Sequence, residues 1–327
     1  MNIAIIGCGL IGNKRAKSIK KENRLIVACD INIKKAEDFK KYNPDIVITS
    51  NWKEVVNNPK IDIIIVATTN DLLADITFES VKAGKHVLVE KPAARNHLEL
   101  EKIIKVMNNI NKKVKVGFNH RFHPAIKKAK EIYDSKVLDE LMFIRGRYGH
   151  GGRLGYENEW RAKAEISGGG ELLDQGVHLI DLSRWFCGDF IEIFGYAENY
   201  YWEMSVEDNG FIALKTDKNQ IAWLQVSCTE WKNMFSFEIY CKNGKLQIDG
   251  IGGSYGLERL SFYKMLPQMG PPETTIWEYP GDDLSWESEF DDFIKSINEN
   301  KTINGNIYDA YEALKIVTKI YNRKILK

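Results

Sequence analysis

The sequence predicts an α/β protein in which an N-terminal, doubly wound parallel sheet precedes a C-terminal α+β domain with a large, mostly antiparallel open sheet. At 327 residues the chain is long for one core and comfortable for two domains. Its first third alternates near-continuous Ile/Val runs with amphipathic helical patterns, which is typical of a parallel sheet covered on both faces. After about residue 122 the segments become aromatic and alternating, which indicates a sheet with one covered face. We therefore predict domains at residues 1–122 and 123–327.

Six strands and two clear helices are predicted in the first domain. The strands lie at residues 2–6, 25–30, 46–49, 61–67, 86–90 and 114–118, and the helices at 72–83 and 98–109. In the second domain the alternating segments lie at residues 141–148, 191–202, 211–216, 220–228, 235–241 and 245–248, with one helix at about 170–186 and two closing helices near 284–298 and 307–321. Hairpin turns are expected at 217–220 and 242–245, the second of which carries the favoured Asn-Gly pair.

Bulk composition argues against several classes of function. Lys plus Arg number 46 against 45 Asp plus Glu, and the net charge of +1 argues against a general binder of nucleic acid or anionic membranes. No apolar stretch approaches the length of a membrane span, and the N-terminus begins a strand with no signal-peptide pattern. The five cysteines are odd in number and never spaced C-x-x-C, so we expect reduced, mostly buried thiols in a cytoplasmic protein and no metal site.

The most specific motif follows the first predicted strand. Gly7, Gly9 and Gly12 form G-x-G-x-x-G between a strand and a helix, and Asp30 ends the next strand. Gly7 permits the tight turn, Gly9 lets the backbone approach a pyrophosphate, and Gly12 allows helix and strand to pack closely. The carboxylate of Asp30 can accept hydrogen bonds from the adenosine ribose and would repel a 2′-phosphate. This pattern predicts a Rossmann domain that binds NAD rather than NADP; the alternative is a glycine-rich turn without a ligand.

The remaining cofactor contacts are expected on the same edge of the parallel sheet, because ligands bind outside the carboxyl ends of its strands. The loops that follow the first, second, fourth and fifth predicted strands all fall on that edge. The predicted cofactor-binding residues are Gly7, Gly9, Leu10, Ile11, Gly12, Asp30, Ile31, Thr68, Thr69, Asn70, Glu90 and Lys91.

Lys91 is the first candidate for catalysis. It follows the fifth predicted strand, in the sequence Glu90-Lys91-Pro92, at the cofactor edge. A lysine that is partly desolvated beside a nicotinamide cation can exchange a hydroxyl proton. The alternative is a surface lysine at the end of a strand.

Asp174 and His178 are the second candidates. Four residues apart on a predicted helix, they project from one face, where the carboxylate can fix the imidazole tautomer or bind a substrate hydroxyl while the imidazole moves a proton. The glycines at 168–170 would let the start of this helix approach a ligand closely. The alternatives are a solvated pair on a helix that is buried on its other side, and a metal pair, for which no further cluster completes a site.

A polar, aromatic and glycine-rich stretch at residues 145–161 precedes that helix. Arginines supply forked donors for carboxylate or phosphate and aromatic faces stack on sugars, so this composition suits a charged or nucleotide-linked sugar better than a bare polyol. The alternative is a surface loop or an oligomer contact. Asn119, Arg121 and His123, at the domain junction, are candidates for substrate contact or for a buried structural role. The predicted substrate-binding residues are Lys91, Asn119, Arg121, Tyr148, Arg153, Trp160, Asp174 and His178.

Over essentially its whole length the chain resembles the Gfo/Idh/MocA oxidoreductases, of the glucose-fructose oxidoreductase and inositol dehydrogenase type. The resemblance rests on the glycine loop, on residues 84–92 (Gly-Lys-His-Val-Leu-Val-Glu-Lys-Pro) and on Asp174-x-x-x-His178. It implies that Lys91, Asp174 and His178 surround the substrate carbon that faces the nicotinamide. One position departs from the family, because Leu73 stands where many members have a histidine near the cofactor.

The resemblance implies reversible hydride transfer between NAD and a secondary alcohol carbon of a sugar, cyclitol or nucleotide-linked sugar. In this hypothesis His178 takes the hydroxyl proton, Lys91 stabilises the developing alkoxide and Asp174 orients the histidine; Lys91 and His178 could exchange roles. The rival interpretations are an NAD-dependent glycosidase of the same fold and a non-catalytic NAD-sensing protein. The open sheet could bury its free face against another subunit, so we expect a homodimer or homotetramer.

Overall fold

The computed structural model describes residues 1–325, and within them the chain forms two compact units. The first unit comprises Met1–Phe118, Glu165–Gly168 and Trp286–Tyr311, and the second comprises Asn119–Ala164, Gly169–Ser285 and the chain from Glu312. This division by contact places residues 119–122 in the second unit, whereas the predicted boundary follows residue 122, and it also assigns two later segments, Glu165–Gly168 and Trp286–Tyr311, to the first unit. The longer segment belongs to the first unit because its residues Phe290 and Phe293 are buried in that unit's apolar core.

A six-stranded parallel sheet forms the centre of the first unit. Its strands are β1 (Asn2–Ile6), β2 (Arg24–Cys29), β3 (Val47–Thr49), β4 (Ile63–Val66), β5 (His86–Val89) and β6 (Val114–Val116). They are ordered β3-β2-β1-β4-β5-β6, with β1 paired to both β2 and β4. The strand order therefore reverses at β1, which brings the loops after β1 and β4 together at the edge where such sheets bind ligands. The six predicted strands and the doubly wound sheet are confirmed.

Five helices lie between or beside these strands in sequence. They are α1 (Leu10–Ser18), α2 (Ile33–Glu37), α3 (Trp52–Asn57), α4 (Asn70–Lys82) and α5 (Leu98–Met107). All four residues of β4 are buried, as expected for a strand covered on both faces. Helices α4 and α5 correspond to the two that the hydrophobic periodicity predicts.

A mostly antiparallel sheet of eight strands forms the second unit. Its strands are β7 (Leu141–Gly149), β8 (Glu192–Glu198), β9 (Asn209–Lys215), β10 (Ile221–Ser227), β11 (Met234–Cys241), β12 (Gly244–Asp249), β13 (Glu258–Lys264) and β14 (Glu273–Tyr279). Their order is β14-β13-β12-β11-β7-β10-β9-β8; β7 and β10 run parallel, and the other neighbours are antiparallel. The large antiparallel sheet and both predicted hairpins are confirmed, whereas β13 and β14 were not predicted.

The remaining helices complete the second half of the chain. They are α6 (Pro124–Asp134), α7 (Ala164–Ser167), α8 (Glu171–Asp174), α9 (Gly176–Cys187), α10 (Ser285–Asn298) and α11 (Ile307–Ile325), with short 3₁₀ turns at Asp38–Lys41, Asn119–Phe122, Tyr156–Asn158 and Trp160–Ala162. The prediction of one continuous helix over 170–186 is wrong, because the helix breaks at Gln175. The next residue, Gly176, is a weak helix former, and a Cβ there would lie only 3.2 Å from the Leu172 side chain.

The large sheet has one buried and one open face. On β10, Ala222, Leu224 and Val226 are buried, whereas Ile221 and Trp223, which alternate with them, are exposed. The same alternation leaves Phe194 and Tyr196 of β8 exposed. The open face that the alternating sequence predicts is therefore present, and it is rich in large apolar side chains.

Candidate functional site

Contacts with neighbouring backbone shape the glycine loop after β1. Gly7 has a φ of +98°, and a Cβ there would overlap the carbonyl group of Ala67 in the loop after β4; a Cβ on Gly12 would overlap the carbonyl oxygen of Gly7. At Gly9, by contrast, no atom of the described residues lies within 4 Å of the position a Cβ would take. The fold therefore requires the first and third glycines, while the second leaves open space in front of the backbone for a pyrophosphate.

Asp30 follows β2 at the same edge of the sheet. Its Oδ2 accepts a hydrogen bond from the backbone N–H of Cys8 at 2.8 Å, and its Oδ1 accepts one from Asn32 at 2.8 Å. These bonds fix the carboxylate beside the glycine loop, and each oxygen keeps a second lone pair for a ribose hydroxyl. Burial and the charge of Asp30 raise the pKa of the Cys8 thiol, so this neighbouring group stays neutral.

The arrangement of this edge fits a dinucleotide such as NAD. Helix α1 begins at Leu10, and Gly9 before it has no side chain to cap the first turn, so the first N–H groups can receive phosphate charge. The side chains of Leu10 and Ile31 are 76% and 94% exposed and present apolar surface beside the loop and beside Asp30. Gly9 and the start of α1 would hold the pyrophosphate, and Asp30 would hold the ribose.

The predicted contacts in the loop after β4 have mainly local partners in this structure. Thr68 and Thr69 are half-buried, and Thr69 Oγ1 donates to Asp71 Oδ1 at 2.6 Å. The buried side chain of Asn70 donates from Nδ2 to the carbonyl oxygen of Ser167 at 2.8 Å. Leu73, at the position of the family's histidine, is fully buried in the first unit. Contacts within the first unit explain why Asn70 and Leu73 are buried. The cofactor contacts of Thr68, Thr69 and Asn70 stay predictions.

Glu90, which precedes Lys91, belongs to a buried ion-pair network. Arg15 Nε lies 2.5 Å from Glu90 Oε1, and Arg15 Nη1 lies 2.6 Å from Glu289 Oε2. Arg15 and Glu289 are completely buried, and burial raises the pKa of Glu289 although Arg15 opposes the shift. The network joins the end of β5 to α1 and α10. Lys91 itself is half-buried, directly beyond this anchored carboxylate.

In the second unit, Asp174 and His178 lie on separate helices. Asp174 ends α8, is half-buried, and has its Oδ2 3.4 Å from Arg161 Nε. His178 lies in the first turn of α9, and its buried ring stacks on the ring of His120 with centroids 3.7 Å apart and planes inclined by 22°. Because the helix is broken between them, the relative placement of the two side chains is set by packing as well as by helix periodicity.

Tyr148 lies beside the same two histidines. Its ring centroid is 5.2 Å from that of His120 and 6.2 Å from that of His178. Burial, reinforced by Tyr255, raises the pKa of Tyr148 well above its ordinary value, so the hydroxyl remains a hydrogen-bond donor. The structure thus brings the predicted residues Tyr148 and His178 together around His120. Sequence reasoning did not single out His120, and the only signal was its place between Asn119 and Arg121.

Two of the three junction residues, Asn119 and Arg121, have well-defined partners in the second unit. Arg121 Nε and Nη2 bind the two carboxylate oxygens of Asp181 at 2.7 and 2.5 Å, and both side chains are buried. Asn119 is buried and donates from Nδ2 to Ser285 Oγ at 2.9 Å. A buried ion pair with two hydrogen bonds favours a structural role for Arg121. The contact of Arg121 with substrate stays a prediction.

Carboxylates of the protein neutralise the arginines of the 145–161 stretch. Arg153 binds both oxygens of Glu159 at 2.6 and 2.7 Å, and the guanidinium of Arg161 lies 4.5 Å from the ring centroid of Trp160. The other pairs are Arg145–Glu238 at 2.5 Å, Arg147–Glu230 at 3.4 Å and Arg161–Asp174 at 3.4 Å. The stretch is therefore polar and aromatic without a surplus of unpaired positive charge at these residues.

The glycines before α8 make room for the protein itself. A Cβ on Gly169 would overlap the Tyr321 hydroxyl, and one on Gly170 would overlap the carbonyl of Glu207. Packing within the chain therefore accounts for the absence of a side chain at Gly169 and Gly170, and the approach of this helix start to a ligand stays a prediction.

Directly after these glycines, a second buried polar cluster surrounds Glu171. Its Oε1 accepts a hydrogen bond from the Tyr156 hydroxyl at 2.8 Å and lies 3.4 Å from His150 Nε2. Burial alone would lower the pKa of His150, but the Glu171 carboxylate raises it overall. This cluster, also missed from the sequence, ties the loop after β7 to α8.

Three further observations concern the cysteines, metals and membranes. Cys8, Cys29, Cys228 and Cys241 are buried and Cys187 is half-buried, as expected. Across residues 1–325, no group of three or more His, Cys, Asp or Glu side chains is placed to hold a metal ion. None of the helices in this range is both long and apolar enough to cross a membrane.

Two protein-family models match the chain, one over each unit. Residues 1–118 match the model described as an oxidoreductase family with an NAD-binding Rossmann fold, and residues 126–247 match the GFO/IDH/MocA C-terminal domain. Together the two matches cover most of the sequence, and residues 119–125, shortly after β6, separate them.

Curated relatives and solved structures agree with these matches. The chain is 30% identical to levoglucosan dehydrogenase of Pseudarthrobacter phenanthrenivorans over 51% of its length, and 25% identical to inositol 2-dehydrogenase of Gluconacetobacter diazotrophicus over 58%. It spans 44% and 56% of those two proteins, so about half of each. A structure of levoglucosan dehydrogenase in complex with NADH and L-sorbose has a TM-score of 0.86 at 20% identity, covering 98% of this chain and 97% of that one. This likeness shows the shared fold.

Proposed function

Because the chain belongs to the GFO/IDH/MocA oxidoreductase family, we propose that it is an NAD-dependent dehydrogenase that transfers a hydride between the nicotinamide and a secondary alcohol carbon of a small polyhydroxylated substrate. The glycine loop and Asp30 support NAD as the cofactor, which supplies the hydride acceptor or donor at C4 of its nicotinamide ring. The observation that carries the proposal is the presence of Lys91, Asp174 and His178, in the family's motifs, on a chain whose Rossmann edge is shaped for a dinucleotide.

The chemistry divides among three side chains. His178, with its ring held by stacking, accepts the proton of the substrate hydroxyl. Lys91 stabilises the negative charge that develops on the same oxygen. Asp174 is half-buried and its Oδ2 lies 3.4 Å from Arg161 Nε, so its carboxylate can bind a neighbouring substrate hydroxyl. Lys91 and His178 can exchange the first two roles.

Charge pairing in the second unit favours a neutral sugar or cyclitol over a nucleotide-linked sugar. Unpaired arginines would favour the diphosphate of a nucleotide sugar, whereas Arg121, Arg153 and Arg161 each face a carboxylate of the protein. The relatives named levoglucosan dehydrogenase and inositol 2-dehydrogenase support the same choice. We therefore propose cyclitols and anhydrosugars as the first compounds to test, ahead of nucleotide sugars.

Turnover of a substrate panel tests this function. NADH formation from NAD is measured with wild type, Lys91→Ala and His178→Ala against inositols, levoglucosan, aldoses and nucleotide sugars. We expect each variant to lose at least roughly 100-fold in kcat, since a positioned proton-transfer group contributes about that much, while NADH affinity changes little. Near-wild-type turnover in both variants would contradict the assigned roles.

The rival functions give different outcomes in the same assay. Release of an alcohol or sugar from a glycoside without net NADH formation would indicate an NAD-dependent glycosidase. Tight NADH binding with no turnover of any compound, together with capture of one defined partner protein, would indicate a cofactor sensor.

We also propose that the open face of the large sheet pairs with a second copy of the chain in a homodimer or homotetramer. The exposed fractions of Phe194, Tyr196 and Trp223 on this face are 48%, 49% and 62%. Apolar patches of this kind on a soluble protein mark interaction surfaces, and homo-oligomers usually pair identical patches about a two-fold axis.

A further inference from the structure

The flat face of His120 lies against the proposed proton acceptor. The ring centroids of His120 and His178 are 3.7 Å apart, and the residues are 5% and 3% exposed. Phe235 lies on another side of His120, with ring centroids 5.9 Å apart. An imidazole packed in this way has little freedom to turn about its side-chain torsions, because the surrounding core is close-packed.

A chain of hydrogen bonds determines which nitrogen of neutral His120 carries the proton. Ser285 Oγ donates its single hydrogen to Asp283 Oδ1 at 2.5 Å, and the same oxygen also accepts the backbone N–H of Ser285 at 3.0 Å. Ser285 must then accept from Asn119 Nδ2, at 2.9 Å, and this turns Asn119 Oδ1 toward His120 Nδ1, at 3.2 Å. The bonding logic therefore places the proton of neutral His120 on Nδ1.

We propose that His120 is a positioning residue for His178. The chain Asp283–Ser285–Asn119 fixes the tautomer and orientation of His120, and the fixed ring holds His178 in the plane in which its proton-accepting nitrogen meets the substrate hydroxyl. No proton moves along the chain; its effect is alignment. The positioning role of His120 rests on the proposed function, whereas the hydrogen-bond chain does not depend on that function.

Imidazole nitrogen NMR of the whole protein tests the chain without substrate or cofactor. The sequence has six histidines, and His120→Gln identifies the His120 signals. At a pH where His120 is neutral, we expect its Nδ1 to be protonated in wild type. In Ser285→Ala the side-chain amide of Asn119 can rotate so that its oxygen and nitrogen exchange places. His120 should then be a mixture of both tautomers.

A matched control removes a similar bond elsewhere in the same unit. Ser236 Oγ donates to Asp249 Oδ1 at 2.8 Å, and Ser236→Ala should leave the His120 spectrum as in wild type. A wild-type His120 protonated on Nε2, or a Ser285→Ala spectrum identical to wild type, would overturn the chain.

Steady-state kinetics of His120 variants then test whether His120 positions His178. His120→Ala removes the ring under His178, whereas His120→Phe keeps a flat ring there. We expect His120→Ala to lower kcat roughly 10- to 100-fold at unchanged KM for NAD, and His120→Phe to recover most of the loss. Equal loss in both variants, or none in His120→Ala, overturns the positioning role. If His178→Ala keeps wild-type turnover, the proposed function itself fails and the role of alignment fails with it, while the NMR result stands by itself.

Discussion

Gly9 is the residue at which ligand binding and folding separate most clearly. Its φ of −75° suits any residue, and a Cβ would meet open space, so Gly9→Ala should change the free energy of unfolding by less than ~1 kcal/mol. The added methyl group would occupy the space assigned to the pyrophosphate. We therefore expect NADH affinity, measured by fluorescence titration, to fall at least roughly tenfold, a change of about 1.4 kcal/mol in binding free energy.

Gly12→Ala is the matched control, with the opposite expectation for folding. Its Cβ would overlap the carbonyl oxygen of Gly7, so the free energy of unfolding should fall by roughly 1–3 kcal/mol in a denaturant titration. Gly9→Ala protein that binds NADH as wild type does would show that the loop does not hold the pyrophosphate.

Functional residues that lie close together in the sequence were predictable. Residues whose partners are distant in the sequence were not. The glycine loop and Asp30 were predictable because a strand, a turn and a helix follow each other within a few residues. Arg15 was not, since its partners Glu90 and Glu289 lie 75 and 274 positions away. His120 and Asp181 were missed for the same reason, because stacking and ion pairing across a core leave no periodic signal.

At the scale of elements, the outward face of β7, β11 and β12 carries a network of charges. Arg145 Nε lies 2.5 Å from Glu238 Oε2, and Lys245 Nζ lies 3.0 Å from Oε1. Burial alone would raise the pKa of Glu238, but hydrogen bonds from Arg145, Lys245 and Tyr240 lower it to about 2, against 4.5 for an ordinary glutamate. Such a group stabilises the fold above pH 4.5, and the stabilisation is lost as the pH falls toward 2.

Glu238→Gln tests this pH dependence. Near neutral pH the variant should be less stable than wild type by ~1 kcal/mol, and the difference should shrink as the pH is lowered from about 4.5. Urea unfolding of both proteins at several pH values gives the measurement. Glu140→Gln, which removes an exposed pair with Lys242, is the control and should alter stability little at any pH. A difference that does not change with pH would contradict the assigned role of the carboxylate.

Elements with strong periodicity were predictable, and those without it were not. The buried Ile/Val strands of the first unit and the Asn-Gly hairpin correspond closely to the sequence pattern. Strand β14 was missed because most of its residues are exposed, so alternation is weak. Helix α6 was missed because two of the three residues it buries, Ala125 and Ala129, are small. The break at Gln175 depends on how closely Gly176 packs, which sequence spacing does not reveal.

For the whole molecule, a single charge on the open face of the large sheet tests the proposed oligomer. Trp223 is 62% exposed on β10, and Trp223→Glu would place an ionised carboxylate in the proposed interface. We expect sedimentation velocity to show a dimer or tetramer for wild type and a monomer for the variant. Leu98→Glu, which changes a similarly exposed residue of α5, should leave the assembly intact. A monomeric wild type, or an unchanged Trp223→Glu assembly, would contradict the proposed interface.

Deuterium transfer tests the central claim most directly. The whole protein is incubated with NAD and with cyclitols and anhydrosugars that carry deuterium on their carbinol carbons, and the product NADH is analysed by mass spectrometry. A dehydrogenase of the proposed kind moves deuterium from one carbinol carbon to C4 of the nicotinamide, so we predict labelled NADH with wild type and almost none with His178→Ala. Tight NADH binding with no deuterium in the cofactor for any compound of the panel would contradict the account.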